Sequence, residues 1–172
     1  TPQVIVFVVG LFFTAWLANA PLPPPRMHDP HNPNFLRVVD SDDPLAGSEE
    51  DHGDLQKAMA WLAALADHPL AQPFFLSVGL NIPHAGFAPS RYWWDRVDPD
   101  RIALPPVDDS SHPVMDYLKI TRGCDQPLSD DFKRDYLRRY YAKLMQFDHQ
   151  LGIFLDHLDR TGLADDTLFI LS

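Results

Sequence analysis

The spacing of apolar residues along this chain predicts two amphipathic helices and two buried strands. Apolar side chains recur at intervals of three and four from Leu55 onward, which predicts a helix over residues 54–66. A longer stripe of the same kind predicts a helix over residues 133–158. Short apolar runs predict strands over residues 74–78 and 167–171. The order helix, strand, long helix and strand is typical of an α/β fold with a mainly parallel sheet.

The longer predicted helix carries one continuous apolar stripe. The helix should begin at a cap formed by Ser129 or Asp130 and end at Gly162. A stripe of this kind is expected to pack on a sheet. The stripe consists of Tyr136, Tyr140, Leu144, Phe147, Leu151, Phe154 and Leu158.

Three segments rich in polar or turn-forming residues are predicted to be loops. They cover residues 21–53, residues 91–107 with a short helical turn, and residues 110–128. Seven acids and no Lys or Arg lie between Asp40 and Asp54, which we interpret as solvated surface. Calcium binding by these acids is a weaker alternative, because they lack the regular spacing of a calcium loop.

An aromatic group, Tyr92, Trp93 and Trp94, lies within the second of these loops. The group could line a substrate entrance or pin the loop to the body of the domain. We favour pinning, because aromatic side chains act mostly by burying area.

The first 20 residues are an apolar segment with three possible roles. No charged residue lies between Val4 and Ala20. The segment could be a secretory signal with an A-x-A-like cleavage site at Ala18, a short membrane anchor, or a buried strand followed by a loop. The chain begins with Thr1 and has no basic region before the apolar run. We therefore expect residues 1–20 to be an anchor or the edge of a fragment.

Composition and charge exclude several classes of protein. The chain has 172 residues, of which 45% are hydrophobic and 22% charged, as in a globular protein. A formal net charge of −10 argues against a general nucleic-acid binder, which needs a basic face. An anion site on such a chain needs a local positive pocket, most simply one built around a metal ion. The single cysteine, Cys124, excludes an internal disulfide and a thiolate zinc cluster.

His84 is the strongest candidate for chemistry. The apolar run that ends at Leu80 breaks at Asn81 and Pro83, and the imidazole of His84 comes directly after this break. Ligands of open α/β sheets bind just outside the carboxyl ends of the strands. A histidine at that position is well placed to contact an anionic substrate, although an ordinary loop histidine is the alternative.

Three sequence patterns follow one another between Pro73 and Thr167. The first is Pro73-Phe74-Phe75-Leu76 followed by Pro83-His84 and Phe87. The second is Tyr92-Trp93-Trp94-Asp95 and Asp98-Pro99-Asp100, then Ile102-Ala103-Leu104-Pro105-Pro106. The third runs from Tyr140-Tyr141-Ala142 through Phe147-Asp148 and Leu151-Gly152 to Gly162-Leu163-Ala164-Asp165-Asp166-Thr167. Together they resemble the central segment of sulfatases, in the alkaline phosphatase superfamily.

The resemblance implies an alkaline-phosphatase-like sandwich with a mainly parallel central sheet, of which residues 21–172 are an incomplete part. It also implies a calcium ion and a formylglycine nucleophile whose motifs lie outside this chain. A metal-binding "D-H-G" or "D-N-G" is expected directly after strand 167–171. Asp51-His52-Gly53 instead precedes a helix, which Asp51 or Asp54 is expected to cap, and Cys124 does not match "C-x-P-S-R". No metal ligand is therefore assigned to this chain.

His84 is the one site residue that the resemblance transfers to this chain. It would donate a hydrogen bond to a sulfate oxygen or to the leaving-group oxygen. The implied function is hydrolysis of sulfate esters, either small molecules or sulfated carbohydrates, by an extracytoplasmic enzyme. This chain alone is expected to be inactive. The alternatives are a phosphodiesterase or phosphonate hydrolase of the same superfamily and a non-catalytic relative that binds anionic glycans.

Overall fold

The structure is a computed structural model that describes residues 3–8 by their backbone, together with residues 36–68, 70–84, 88–107, 112–121, 125 and 127–172. These ranges contain three β-strands and four α-helices. In chain order they are β1 (Gln3–Val8), α1 (Glu49–Asp67), β2 (Phe75–Gly79), α2 (Arg91–Trp94), α3 (Pro113–Thr121), α4 (Asp130–Arg160) and β3 (Thr167–Leu171). Short 3-10 turns lie at Pro99–Arg101 and Ala164–Asp166.

The strands form one parallel sheet with β1 in the middle. The strand order is β2-β1-β3, and Val4 of β1 lies beside Phe75 on one side and Leu168 on the other. Parallel neighbours need a crossover connection, and α1 and α4 lie in the two connections. The carboxyl ends of all three strands therefore lie at the same edge of the sheet. His84 follows β2 at this edge.

A core forms where α1 and α4 pack on the sheet. Its side chains come from one face of each helix, from β2, from the residue directly before β2 and from two apolar residues that follow β2. Burying one such side chain completely contributes about 1.5–3 kcal/mol. The buried members are Leu55, Ala58, Leu62, Leu65, Phe74, Val78, Leu80, Ile82, Phe154 and Leu158.

The predicted helices and strands are present, most of them with shifted boundaries, but the prediction that both strands are buried was wrong. Only Val78 of β2 is buried, and no residue of β3 is. The strand predicted over 167–171 is β3, and the strand predicted over 74–78 is β2, one residue later. The prediction of an α/β arrangement with parallel strands is confirmed at this level, and the complete alkaline-phosphatase-like sandwich stays a prediction. Of the three alternatives for residues 1–20, the structure has a strand over Gln3–Val8. Residues 9–35 lie outside the described ranges.

The ends of α4 follow the expected chemistry. The side chain of Ser129 accepts a hydrogen bond from the backbone of Phe132 at 3.2 Å, so Ser129 is the N-cap. Gly162 lies just past the helix with a φ of 71°. The backbone N–H of Leu163 donates to the carbonyl of Leu158 at 3.2 Å, as in a Schellman ending.

Two loop predictions were wrong in part. The segment 21–53 was predicted to be loop, yet α1 begins at Glu49, after Ser48 as N-cap, and neither Asp51 nor Asp54 caps it. The segment 110–128 was predicted to be loop, yet it contains α3, which begins with Pro113. Proline is favoured at the first position of a helix, so this start signal was present in the sequence. No helix within the described ranges is both long and apolar enough to cross a membrane.

The predicted stripe on α4 packs against the core from Phe147 onward, whereas Tyr136, Tyr140 and Leu144 are not part of that core. The stripe residues before Phe154 are half-buried, whereas the buried face there is polar. The stripe continues as predicted at Phe154 and Leu158, which lie in the core. The buried residues of α4 before Phe154 are Arg139, Ala142, Lys143, Gln146 and Gln150.

Candidate functional site

His84 lies on a short turn directly after β2. Leu80 and Ile82 are buried in the core and hold the turn to the body of the domain. The backbone N–H of His84 donates to the carbonyl of Asn81 at 2.6 Å, and the peptide bond between Ile82 and Pro83 is cis. His84 itself is exposed at the carboxyl edge of the sheet, as the sequence predicted.

Asp51 fixes the backbone of this turn from the first turn of α1. One carboxylate oxygen, Oδ1, accepts a hydrogen bond from the N–H of Asn81 at 2.8 Å. The other, Oδ2, accepts from the N–H of Ile82 at 3.0 Å. Asp51 is only 5% exposed, so both bonds are sheltered from water. Hydrogen bonds to an ionised acceptor are stronger than those between neutral groups, so this contact constrains the turn tightly.

A buried polar cluster from α4 holds the segment where α1 begins. The Nε2 of Gln146 lies within hydrogen-bond distance of the carbonyl of Pro44 at 2.9 Å, that of Ala46 at 3.0 Å and the Oγ of Ser48 at 2.9 Å. Gln150 donates to the same Ser48 hydroxyl at 2.7 Å. Because backbone carbonyls buried without a partner are costly, this cluster determines where α1 starts.

Lys143 supplies the positive charge of this cluster. Its ammonium donates to the carbonyl of Gly47 at 2.7 Å and to the Oε1 of Gln146 at 2.9 Å. Burial lowers the pKa of Lys143 to about 8, although the charges of Asp51 and Glu49 act in the opposite direction. The positive end of this side chain therefore lies inside the protein, beside the segment that leads into α1.

The aromatic group of residues 92–94 pins its segment to the body of the domain. Trp93 is buried, and its Nε1–H donates to the carbonyl of Pro44 at 2.7 Å. The guanidinium of Arg138 lies 3.9 Å from the centre of the Trp94 ring and donates to the carbonyl of Trp94 at 2.9 Å. These contacts support the pinning role over an entrance for substrate. Arg139 forms an ion pair with Asp135 at 2.9 Å.

The other titratable candidates are not brought together. His52 lies on α1, where its ring nitrogen is 3.0 Å from Gln56. His149 contacts the ring of Trp93, with centroids 5.5 Å apart. Within the described ranges, no three His, Cys, Asp or Glu side chains are grouped so that they could hold a metal ion. Cys124 and Phe87 lie outside these ranges.

Sequence reasoning missed Asp51 as a site residue. The sequence predicted Asp51 or Asp54 as a helix cap, but the carboxylate of Asp51 accepts from the turn after β2 instead. A signal for its actual role was weak. An acid at the third position of a helix is common, and nothing local shows that its partners lie 30 residues further along.

The sequence of this chain is similar to a family model and to several known proteins. A family model described as Sulfatase matches residues 12–172. The chain is 31% identical over 138 residues to arylsulfatase K of Xenopus laevis, which covers 71% of this chain and 25% of that protein. It is 32% identical to arylsulfatase K of Gallus gallus, over 67% of this chain and 24% of that protein. It is 29% identical to arylsulfatase K of Homo sapiens, over 72% of this chain and 26% of that protein. The chain thus spans about a quarter of the length of the curated relatives it matches.

A solved structure also matches. The crystal structure of yidJ from Bacteroides fragilis, described as a sulfatase, aligns with a TM-score of 0.49 and 21% identity, over 70% of this chain and 24% of that one.

Proposed function

Because this chain belongs to the sulfatase family, we propose that it is part of an enzyme that hydrolyses sulfate esters, with His84 in the substrate site. The observation that carries the role of His84 is its position. The side chain is exposed at the carboxyl edge of a parallel sheet, on a turn whose backbone is fixed from behind. The relatives named above as arylsulfatases support the choice of a sulfate ester as substrate.

The proposed chemistry of His84 is donation of a hydrogen bond. When the S–O bond of a sulfate ester breaks, negative charge develops on the oxygen of the departing alcohol. An imidazole N–H at about 2.6–3.2 Å from that oxygen stabilises the charge and can deliver the proton. The same N–H could instead contact a non-bridging sulfate oxygen. Either contact acts locally, which suits a chain whose net charge of −10 repels sulfate at long range.

Calcium and formylglycine belong to the proposal for the complete enzyme. The described residues do not fit a calcium site, since no three potential ligands among them are grouped. In line with the family resemblance, we propose that the metal ligands and the nucleophile lie outside this chain, with His84 as the contribution of this segment. The proposed location is outside the cytosol. The substrate is a small sulfate ester or a sulfated carbohydrate.

The test uses the complete protein that contains this chain and a chromogenic aryl sulfate. His84→Ala should lower kcat by roughly 10²–10⁴-fold, the usual range for losing a general acid or base, while calcium affinity stays near wild type. His68→Ala is the matched control, because His68 follows the far end of α1, at the opposite edge of the sheet from His84. Unchanged turnover in His84→Ala would refute the role of His84.

The same protein distinguishes the alternative functions. Mass spectrometry should find formylglycine within a "C-x-P-S-R" or "S-x-P-S-R" motif of the complete protein. Faster turnover of a phosphodiester or phosphonate than of any sulfate ester would favour the phosphodiesterase or phosphonate hydrolase alternative. A complete protein that lacks both this motif and a "D-H-G" or "D-N-G" would favour a non-catalytic binder of anionic glycans.

A further inference from the structure

The contact between Asp51 and the turn of His84 joins two elements that are distant in sequence. Asp51 lies on α1, and its two oxygens accept from the successive backbone N–H groups of Asn81 and Ile82, 30 and 31 residues away. Two bonds to neighbouring peptide groups fix the orientation of both peptide planes. The direction in which the chain leaves β2 toward His84 is then set by the position of one carboxylate.

The segment that leads into Asp51 is bound to α4 by hydrogen bonds. Ser48, three residues before Asp51, accepts from Gln146 and Gln150, and Gly47 accepts from Lys143. All three donors lie on the buried face of α4. The polar cluster therefore positions the start of α1, and the start of α1 positions the turn.

Asp51 does not perform the usual task of an acid at this place in a helix. Ser48 occupies the N-cap position, and no side-chain bond caps the helix there. The carboxylate of Asp51 bonds to another element and is 5% exposed. A buried carboxylate is costly to desolvate, so its retention needs a compensating contact. The two N–H donors and the nearby charge of Lys143 provide such compensation.

We propose that Asp51 is the positioning residue of His84, and that it acts by holding the peptide groups of Asn81 and Ile82 in the orientation that turnover requires. The proposal rests on the function proposed above for His84. Asp51 does not touch the substrate. Its effect on catalysis passes entirely through the geometry of the turn.

An ionised carboxylate is needed for this role because both of its oxygens must accept. Asparagine has nearly the same shape, yet it offers one oxygen and one NH₂ group. In Asp51→Asn, an NH₂ donor would face a backbone N–H donor, so one of the two bonds is lost. Asp51→Glu retains both oxygens and moves them by one methylene. The two variants thus separate the chemistry of the carboxylate from its placement.

The first experiment is a double-mutant cycle in the complete protein, assayed on a chromogenic aryl sulfate. Asp51→Asn should lower kcat by about 10²-fold, the effect expected of a displacement near 1 Å, with little change in KM. Asp51→Glu should give an intermediate loss. In a protein that already carries His84→Ala, adding Asp51→Asn should lower kcat by less than about a further twofold. The reason is that the effects of residues that act as one unit are not additive.

Asp54→Asn is the matched control for this cycle. Asp54 lies one helical turn after Asp51 on α1, and its carboxylate forms an exposed ion pair with Lys57 at 2.7 Å. Removing its charge should leave kcat unchanged. If Asp51→Asn lowers kcat by the same factor with and without His84, the residue supports the fold in general and the proposal is overturned.

Hydrogen exchange provides a readout that does not depend on activity. The amides of Asn81 and Ile82 should exchange at least about tenfold faster in Asp51→Asn than in wild type, while Asp54→Asn should leave them unchanged. Equal exchange in wild type and Asp51→Asn would overturn the positioning role. If the wild-type protein has no sulfate-ester activity but Asp51→Asn still speeds exchange at these two amides, the proposed function is refuted and the contact of Asp51 with the turn is supported.

Discussion

Replacing Gln146 tests whether the polar cluster on α4 holds the start of α1. Gln146 is 0% exposed, and its Nε2 lies near two carbonyls and a hydroxyl, while its Oε1 accepts from Lys143. Gln146→Met keeps the length and flexibility of the side chain, so the cavity left behind is small. The variant removes the donor to both carbonyls, at about 1 kcal/mol each, and an acceptor for an ammonium, at about 1.5–3 kcal/mol. We expect a loss of about 3–5 kcal/mol in the free energy of unfolding.

Gln150→Met is the matched control, one turn further along the same helix. The Nε2 of Gln150 has one bond, to Ser48, and its buried Oε1 has no hydrogen-bond partner within the described part of the chain. Removing an unsatisfied acceptor offsets the loss of that bond. We therefore expect Gln150→Met to lower the free energy of unfolding by less than about 1 kcal/mol.

Urea unfolding followed by far-UV circular dichroism measures both losses. The midpoint should fall in proportion to the predicted loss, and the dependence on urea should stay the same, since the surface exposed on unfolding is unchanged. Equal losses for the two variants would refute the reasoning. So would a loss below about 1 kcal/mol for Gln146→Met, because a buried ammonium would then tolerate the removal of its acceptor.

Two further predictions concern Lys143 and Gly47. The folded pKa of Lys143, about 8, lies below its usual 10.5, so between these values the unfolded chain binds more protons and stability should rise with pH. Between pH 7.5 and 10.5 the free energy of unfolding of the wild type, measured with urea, should rise by on the order of 3 kcal/mol. Lys143→Met should show no such rise, and parallel pH profiles for the two proteins would contradict this prediction. Gly47 has a φ of 78°, and a Cβ there would lie 2.7 Å from the carbonyl oxygen of Ala88, so Gly47→Ala should destabilise by more than about 2 kcal/mol. Gly53→Ala is the control, because no atom lies within 4 Å of a Cβ at that position. Its free energy of unfolding should rise by about 0.5–1 kcal/mol. Equal losses in the two variants would contradict the explanation by backbone strain at Gly47.

The main elements of the fold could be predicted because each carries its own periodic signal. Helix α1 and the second half of α4 bury apolar side chains at helical spacing, so a local pattern was sufficient for them. Strand β3 was found from its apolar run, although Leu168, Ile170 and Leu171 are exposed. The same reasoning placed His84 after a strand, at an edge where ligands bind.

The polar face of α4 could not be predicted in the same way. Lys143, Gln146 and Gln150 are hydrophilic, so periodicity assigns them to the surface, and the neighbouring Leu144 and Phe147 to the core. They are buried because their partners, three backbone carbonyls and the hydroxyl of Ser48, belong to a segment about 100 residues earlier. A carbonyl is present at every position of a chain, so no side-chain pattern shows which ones will need a donor.

The hydrogen bonds of Asp51 could not be predicted from the sequence for a related reason. Its partners are the backbone N–H groups of Asn81 and Ile82, which carry no sequence signal of their own. Only the packing of α1 against the turn brings them together. The residues that position this candidate site are thus found from the fold, whereas the residue proposed to act was found from the sequence.

The central place of β1 has a consequence for how the chain folds during synthesis. Val4 can pair with Phe75 once β2 has left the ribosome, but its other neighbour, Leu168, is made about 90 residues later. At a typical elongation rate of about 5–20 residues per second, this delay lasts several seconds. Throughout it, one side of β1 offers unpaired backbone groups to any extended segment nearby. Until β3 is made, this side of β1 can therefore pair with other extended segments of the nascent chain.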